Sequence, residues 1–163
     1  MQVLIMRHGD AQLDAASDAQ RPLSVRGSDE SRLMASWLSS RILDTDRVLV
    51  SPYLRAQQTL DVLREELVLP EEEERMPELT PGGDVDLVCC YLQTLANEGL
   101  GSVMIVSHLP LVGYLVADLC PQEQAPMFAT SAVACVDLDA QSGKGILNWQ
   151  VGPAQLLSKV KAG

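Results

Sequence analysis

The apolar positions of the chain fall into two patterns that take turns along it. Val3-Leu4-Ile5-Met6 is an unbroken apolar run ending at Arg7-His8-Gly9, the pattern of a strand buried on both faces. Val48-Leu49-Val50, Val103-Met104-Ile105-Val106 and Ala132 to Leu138 repeat it, and Gly145 to Val151 predicts a fifth strand. Between these runs the apolar residues adopt helical spacing: Leu33, Met34, Trp37 and Leu38; Ala56, Leu60, Leu63 and Leu67; Val85, Val88, Leu92 and Leu95; Val112, Leu115, Val116 and Leu119. Strand and helix in alternation predict an α/β fold of three layers, α/β/α, with a mostly parallel central sheet.

The punctuation between segments sharpens the boundaries. Ser51-Pro52 predicts a capping hydroxyl followed by proline at the first helical position, Asp84 predicts an N-cap after Gly82-Gly83, and Pro110 marks another helix start. Pro70 to Gly83, with Glu71 to Glu74 inside it, has no apolar period and is expected to form an exposed acidic loop. Residues 1–157 are expected to make a single domain and residues 158–163 a flexible tail.

Charge and composition then narrow the function classes. The 163 residues can build a full core without a disulfide or a structural metal. Lys and Arg number 12 against 22 Asp and Glu, a net charge of −10, which opposes sequence-independent binding to nucleic acid or to an anionic membrane. No run approaches the ~18 apolar residues of a membrane span, and Val3 to Met6 is too short for the core of a signal peptide. Cys89, Cys90, Cys120 and Cys135 have neither metal-ligand nor redox-motif spacing, so reduced thiols and a cytoplasmic location are expected.

Ligands of open α/β sheets bind beyond the carboxyl ends of the strands, and there the chain places unusual residues. The first strand ends in Arg7-His8, Arg55 follows the strand at Val50 by one helical turn, and the strand at Val106 ends in His108. These are the only two histidines of the chain. Guanidinium forks match phosphoryl oxygens in bidentate geometry, so a phosphoryl group is the natural occupant. A neutral imidazole whose second nitrogen is held as a donor can attack phosphorus, and a protonated second imidazole can stabilise the charge that shifts onto the equatorial oxygens. No metal and no cofactor are required, because the arginines supply the positive charge.

These residues resemble the histidine phosphatase superfamily, which includes the cofactor-dependent phosphoglycerate mutases. Arg7-His8-Gly9 looks like its R-H-G motif, Ser51-Pro52-x-x-Arg55-Ala56-x-x-Thr59 its S-P-x-x-R-A-x-x-T element, and Val106-Ser107-His108 its later V-x-H element. The resemblance implies a phosphoglycerate mutase-like fold with His8 as the phospho-accepting nucleophile, Arg7 and Arg55 on the phosphoryl oxygens, and His108 completing the pocket. Arg21, in Arg21-Pro22-Leu23-Ser24, is similar to a further phosphate-binding arginine of the smallest members. The interval from Arg55 to His108 has no room for the large cap of the larger members. Glu78 is the one residue that aligns with their proton-donating acid, with Asp10 and Asp18 as weaker candidates.

A weak or absent acid favours a P–N bond in the substrate, since a protonated imidazole leaves without further help whereas an alkoxide needs a proton. Small size, short loops and the motif set together resemble the SixA-type phosphohistidine phosphatases. That resemblance implies a phosphohistidine-carrying partner, a histidine phosphotransfer domain or a phosphocarrier, and a role in damping a phosphorelay. A general small phosphomonoesterase and a non-catalytic phosphohistidine binder stand as alternatives, separable by ester turnover that depends on Glu78 and by turnover at all.

Overall fold

The most apolar strand of the chain lies in the middle of its sheet. The structure, a computed structural model, describes the backbone of residues 1–162 and the side chains through Ser158. Strands β1 (Gln2–Arg7), β2 (Arg47–Val50), β3 (Glu74–Arg75), β4 (Ser102–Ser107), β5 (Val133–Leu138) and β6 (Gly145–Val151) form one sheet in the order β3-β2-β4-β1-β5-β6. The pairings β1–β4, β4–β2 and β2–β3 are parallel, while β5 runs antiparallel to both β1 and β6. The sheet is mixed and mostly parallel, as the alternating strand and helix signals predict.

Two-residue periodicity divides the core between the two sheet faces. Val3, Ile5, Leu49, Val103 and Ile105 pack on one side against Val88, Leu92 and Leu95 of α3 (Val85–Asn97) and Val112, Leu115 and Val116 of α4 (Leu111–Leu119). Leu4, Met6, Val48, Val50, Met104 and Val106 pack on the other against α1 (Val25–Leu38), α2 (Leu54–Glu66) and Leu156 of α5 (Pro153–Ala162). Because every one of these strand residues is fully buried, β1, β2 and β4 read as continuous apolar runs instead of alternating ones. Each such side chain contributes about 1.5–3 kcal/mol by leaving water.

Several boundaries differ from the expectation. Ser51-Pro52 does not cap α2, which starts at Leu54 after Tyr53; the Ser51 hydroxyl is engaged by His108 instead. Asp84 does cap α3, accepting from the Leu87 amide at 3.1 Å, and Ser24 caps α1 through the Gly27 amide at 3.0 Å. The acidic stretch is not wholly an exposed loop. It contributes edge strand β3 and a 3-10 turn at Pro77–Leu79, and it buries Met76 and Leu79 completely or nearly so. Between α2 and α4 there are only this stretch, α3 and β4, so no cap covers the sheet ends among the described residues. Residues 158–162, expected to be a tail, continue α5 in their backbone, and Gly163 lies outside the described residues.

Candidate active site

The carboxyl ends of the adjacent strands β1, β4 and β2 deliver Arg7-His8, Ser107-His108 and Ser51 to one edge of the sheet, as the parallel topology requires. There an open pocket of about 250 Å³ is lined by Arg7, His8, Asp10, Ala11, Asp18, Arg21, Arg55, Pro81, His108, Leu109 and Thr130. The structure therefore brings together His8, Arg7, Arg55, His108 and Arg21. It does not bring Glu78 to them. That residue lines a separate shallow depression with Pro77, Thr80 and Gly82, and its backbone carbonyl accepts from the Asp84 amide at 3.1 Å.

The two histidines, their ring centroids 4.9 Å apart, are held in different ways. His8 Nδ1 lies 2.7 Å from the Gly9 carbonyl, which can only accept, so Nδ1 carries the proton. Its Nε2 keeps the lone pair and accepts from Arg55 Nε at 3.3 Å. His108 Nε2 is 2.7 Å from the Ser51 hydroxyl, and its ring also meets Tyr53 edge-on at 5.0 Å. Burial first, then the charges of Arg55, Arg7 and Arg21, push His8 down to about 4 against the raising effect of the Gly9 carbonyl. Burial first, then His8 and Arg55, push His108 down to about 3. Both rings are neutral near pH 7, so His108 can act as a protonated imidazole only when a bound dianion reverses the charge balance that keeps it neutral.

The arginines are fixed by carbonyls and carboxylates. Arg7 Nη1 donates to the Phe128 carbonyl at 2.8 Å. Arg55, almost fully buried, donates through Nη1 to the Asp18 carbonyl at 2.6 Å and through Nη2 to the Asp18 carboxylate at 3.2 Å. Its guanidinium also sits 5.1 Å from the Tyr53 ring centre. Arg21 donates through Nε to the Gln12 carbonyl at 2.8 Å and pairs with Asp18 at 3.1 Å.

Three residues act here whose roles sequence reasoning missed or misassigned. Ser51 orients His108. Thr59 accepts from the Gly9 amide at 2.9 Å and donates to the Arg55 carbonyl at 2.8 Å, tying the strand end that carries His8 to the helix that carries Arg55. Asp18 joins Arg21 to Arg55. The spacing Ser51-x-x-x-Arg55-x-x-x-Thr59 was the available signal: residues four apart share one helix face, so Thr59 stacks behind Arg55.

Among the described residues, three buried side-chain atoms have no hydrogen-bond partner, Arg7 Nε, His108 Nδ1 and Thr45 Oγ1. Two of the three belong to this pocket, where an oxyanion would supply the acceptor that Arg7 lacks. The same residues form no site for a metal: no group of three or more His, Cys, Asp or Glu side chains is placed to hold one.

Residues 3–84 match the histidine phosphatase superfamily, branch 1. The chain is 62% identical over 156 residues, 96% of either chain, to the phosphohistidine phosphatase SixA of Escherichia coli strain K12. It is 39% identical over 160 residues to a phosphohistidine phosphatase SixA homolog of Haemophilus influenzae, covering 94% of this chain and 97% of that one. A solved structure of the protein histidine phosphatase SixA complexed with tungstate superposes with a TM-score of 0.93 at 62% identity, over 96% of this chain and 99% of the other.

Proposed function

The chain belongs to the histidine phosphatase superfamily, and on that premise we propose that it is a phosphohistidine phosphatase in which His8 Nε2 takes the phosphoryl group from a histidine of a partner protein. The observation that carries this reading is the fixed tautomer of His8: a proton held on Nδ1 by the Gly9 carbonyl and a lone pair on Nε2 among Arg7, Arg55 and His108.

The steps balance without a proton on any carboxylate. As the phosphoryl group enters, Arg55 Nε turns from the His8 lone pair to a phosphoryl oxygen. Nε2 then forms its bond to phosphorus while the P–N bond to the substrate histidine breaks. A substrate ring already protonated on its other nitrogen leaves as neutral imidazole. Water next attacks phosphorus, and His8 departs as the same Nδ1–H tautomer with which it began; the proton lost by the water goes to phosphate or solvent. Arg7, Arg21 and Arg55 offset the charge on the phosphoryl oxygens, and His108 donates to one of them once the dianion has raised its proton affinity.

Ester hydrolysis needs an acid for the alkoxide, and the carboxyl groups here are badly placed for it. Asp10 accepts from the Ser24 hydroxyl at 2.7 Å, and hydrogen bonding from Arg21, then Arg55, holds Asp18 below the usual carboxylate range, hence ionised. Glu78 lies outside the pocket, so the role suggested for it in the sequence is not part of this proposal. A capless mouth suits a side chain presented by a whole protein, such as a histidine phosphotransfer domain or phosphocarrier in a signalling relay. Four unpaired thiols accord with a cytoplasmic, reducing setting.

The test is phosphate release from a protein phosphorylated on histidine and from an aryl phosphate ester, for the wild type and His8→Ala. Release from phosphohistidine at least about a hundredfold faster than from the ester, abolished in the variant, is the expected result. Faster ester turnover would move the protein to the general phosphomonoesterases; binding without release would make it a phosphohistidine reader.

A further inference from the structure

The guanidinium groups that would hold a phosphoryl group already hold a carboxylate of the chain itself. Asp18 stands on a short 3-10 turn, Asp18–Gln20, in the segment between β1 and α1. Its two carboxylate oxygens accept separately from Arg21 Nη1 at 3.1 Å and from Arg55 Nη2 at 3.2 Å, and its backbone carbonyl takes Arg55 Nη1 at 2.6 Å. An ion pair remote from the reacting atoms would be an ordinary support. This one lines the pocket, and the same guanidinium touches the lone pair of His8.

The charged side chains lining the pocket are Arg7, Arg21 and Arg55 against Asp10 and Asp18, so 3 − 2 gives +1 while both imidazoles are neutral. The two carboxylates are not equivalent. Asp10 is turned to Ser24, whereas Asp18 is the one that contacts the arginines. A phosphate dianion entering this pocket meets a carboxylate whose repulsion, and whose claim on two guanidinium forks, must be overcome.

We propose that Asp18 governs product release: it is an internal competitor for Arg21 and Arg55 that keeps the pocket's affinity for free inorganic phosphate low, so that the product leaves. Its two anchoring points divide the work. The backbone carbonyl keeps Arg55 in position whatever the side chain, and the carboxylate sets how strongly an anion is held. The inference rests on this pocket being the phosphoryl site described above.

The experiment measures inorganic phosphate binding by calorimetry, and kcat and KM on a protein phosphorylated on histidine, for the wild type, Asp18→Asn and Asp18→Glu. Asp18→Asn keeps the shape and an acceptor oxygen but removes the charge. It is expected to bind phosphate about tenfold tighter, the scale of one partly screened unit charge beside the anion, with kcat and KM both lowered as release slows. Asp18→Glu, which restores the charge, is expected to return phosphate affinity to within about threefold of the wild type. Equal or weaker phosphate binding by Asp18→Asn would overturn the proposal and leave the carboxylate as a strut for Arg55. No phosphate binding by either the wild type or Asp18→Asn would overturn the phosphoryl site itself, a failure readable apart from the first.

Discussion

His8 and His108 are the same side chain given different tasks by what touches their ring nitrogens. A carbonyl on Nδ1 leaves the lone pair of His8 on Nε2, as the proposed nucleophile requires, whereas a hydroxyl on Nε2 leaves Nδ1 of His108 buried without a partner. Histidine titration followed by nuclear magnetic resonance should therefore show midpoints near 4 and 3 in the free protein, and saturating phosphate should raise that of His108. A midpoint near the ordinary 6.5 for His8 would contradict the account of its burial. At this scale the sequence was legible where chemistry and position coincide: a histidine or arginine just beyond an apolar run has few reasons to be there. It was illegible where one residue type serves two purposes. Serine before proline is a good helix cap, so Ser51 as the partner of His108 needed the neighbouring strand to be seen. Glu78 showed the opposite failure, since alignment with the family's acid did not put its side chain in the pocket.

Between residues and elements stands the close approach of α1 to the segment after β1. A Cβ on Gly27 would collide with the Asp10 carbonyl oxygen, and one on Gly9 would lie 2.8 Å from the Gly27 carbonyl oxygen. Gly27→Ala should cost about 1–3 kcal/mol in urea unfolding. It should also slow phosphohistidine turnover, because the displaced backbone at Asp10 leads directly out of His8-Gly9. Unchanged stability and turnover would show that the helix can shift freely. The long apolar elements were readable because burial on both sheet faces, or on one helix stripe, leaves a period in the sequence. Two elements left none. Strand β3 is two residues, Glu74-Arg75, whose pairing with Leu49 and Val50 is decided by the backbone of β2. Helix α5 buries Leu156 while Leu157 beside it is largely exposed, too little of a stripe to distinguish a helix from a tail.

For the whole molecule, two imidazoles kept neutral by burial make stability depend on pH. Unfolded, both rings take up protons near pH 6.5; folded, they resist until about 4 and 3. Their depressed values thus add stability that is fully present above about pH 6.5 and is lost as pH falls from there toward 3. Near pH 5 the difference approaches two protons, a slope of about 2.5 kcal/mol per pH unit in urea unfolding free energy. The slope should shrink in a His8→Gln, His108→Gln double variant; the same slope there would assign it to other groups. Catalysis is expected to survive excess chelator unchanged, measured as phosphate release from phosphohistidine, and a large loss would require a metal that this mechanism does not use. The strand order has a consequence for how such a molecule is made. β1 leads into His8 at its end and is central, yet its neighbours are β4 and β5, residues 102–107 and 133–138. On a ribosome β1 is made before either neighbour and must wait, unpaired and apolar, until residues 102–107 and 133–138 have followed. Arg7 waits longer still for the carbonyl of Phe128. A polypeptide stalled or cut before that point would carry Arg7-His8-Gly9 without the carbonyl that fixes Arg7 or the strands that flank β1, and on the proposed function it would have no working site.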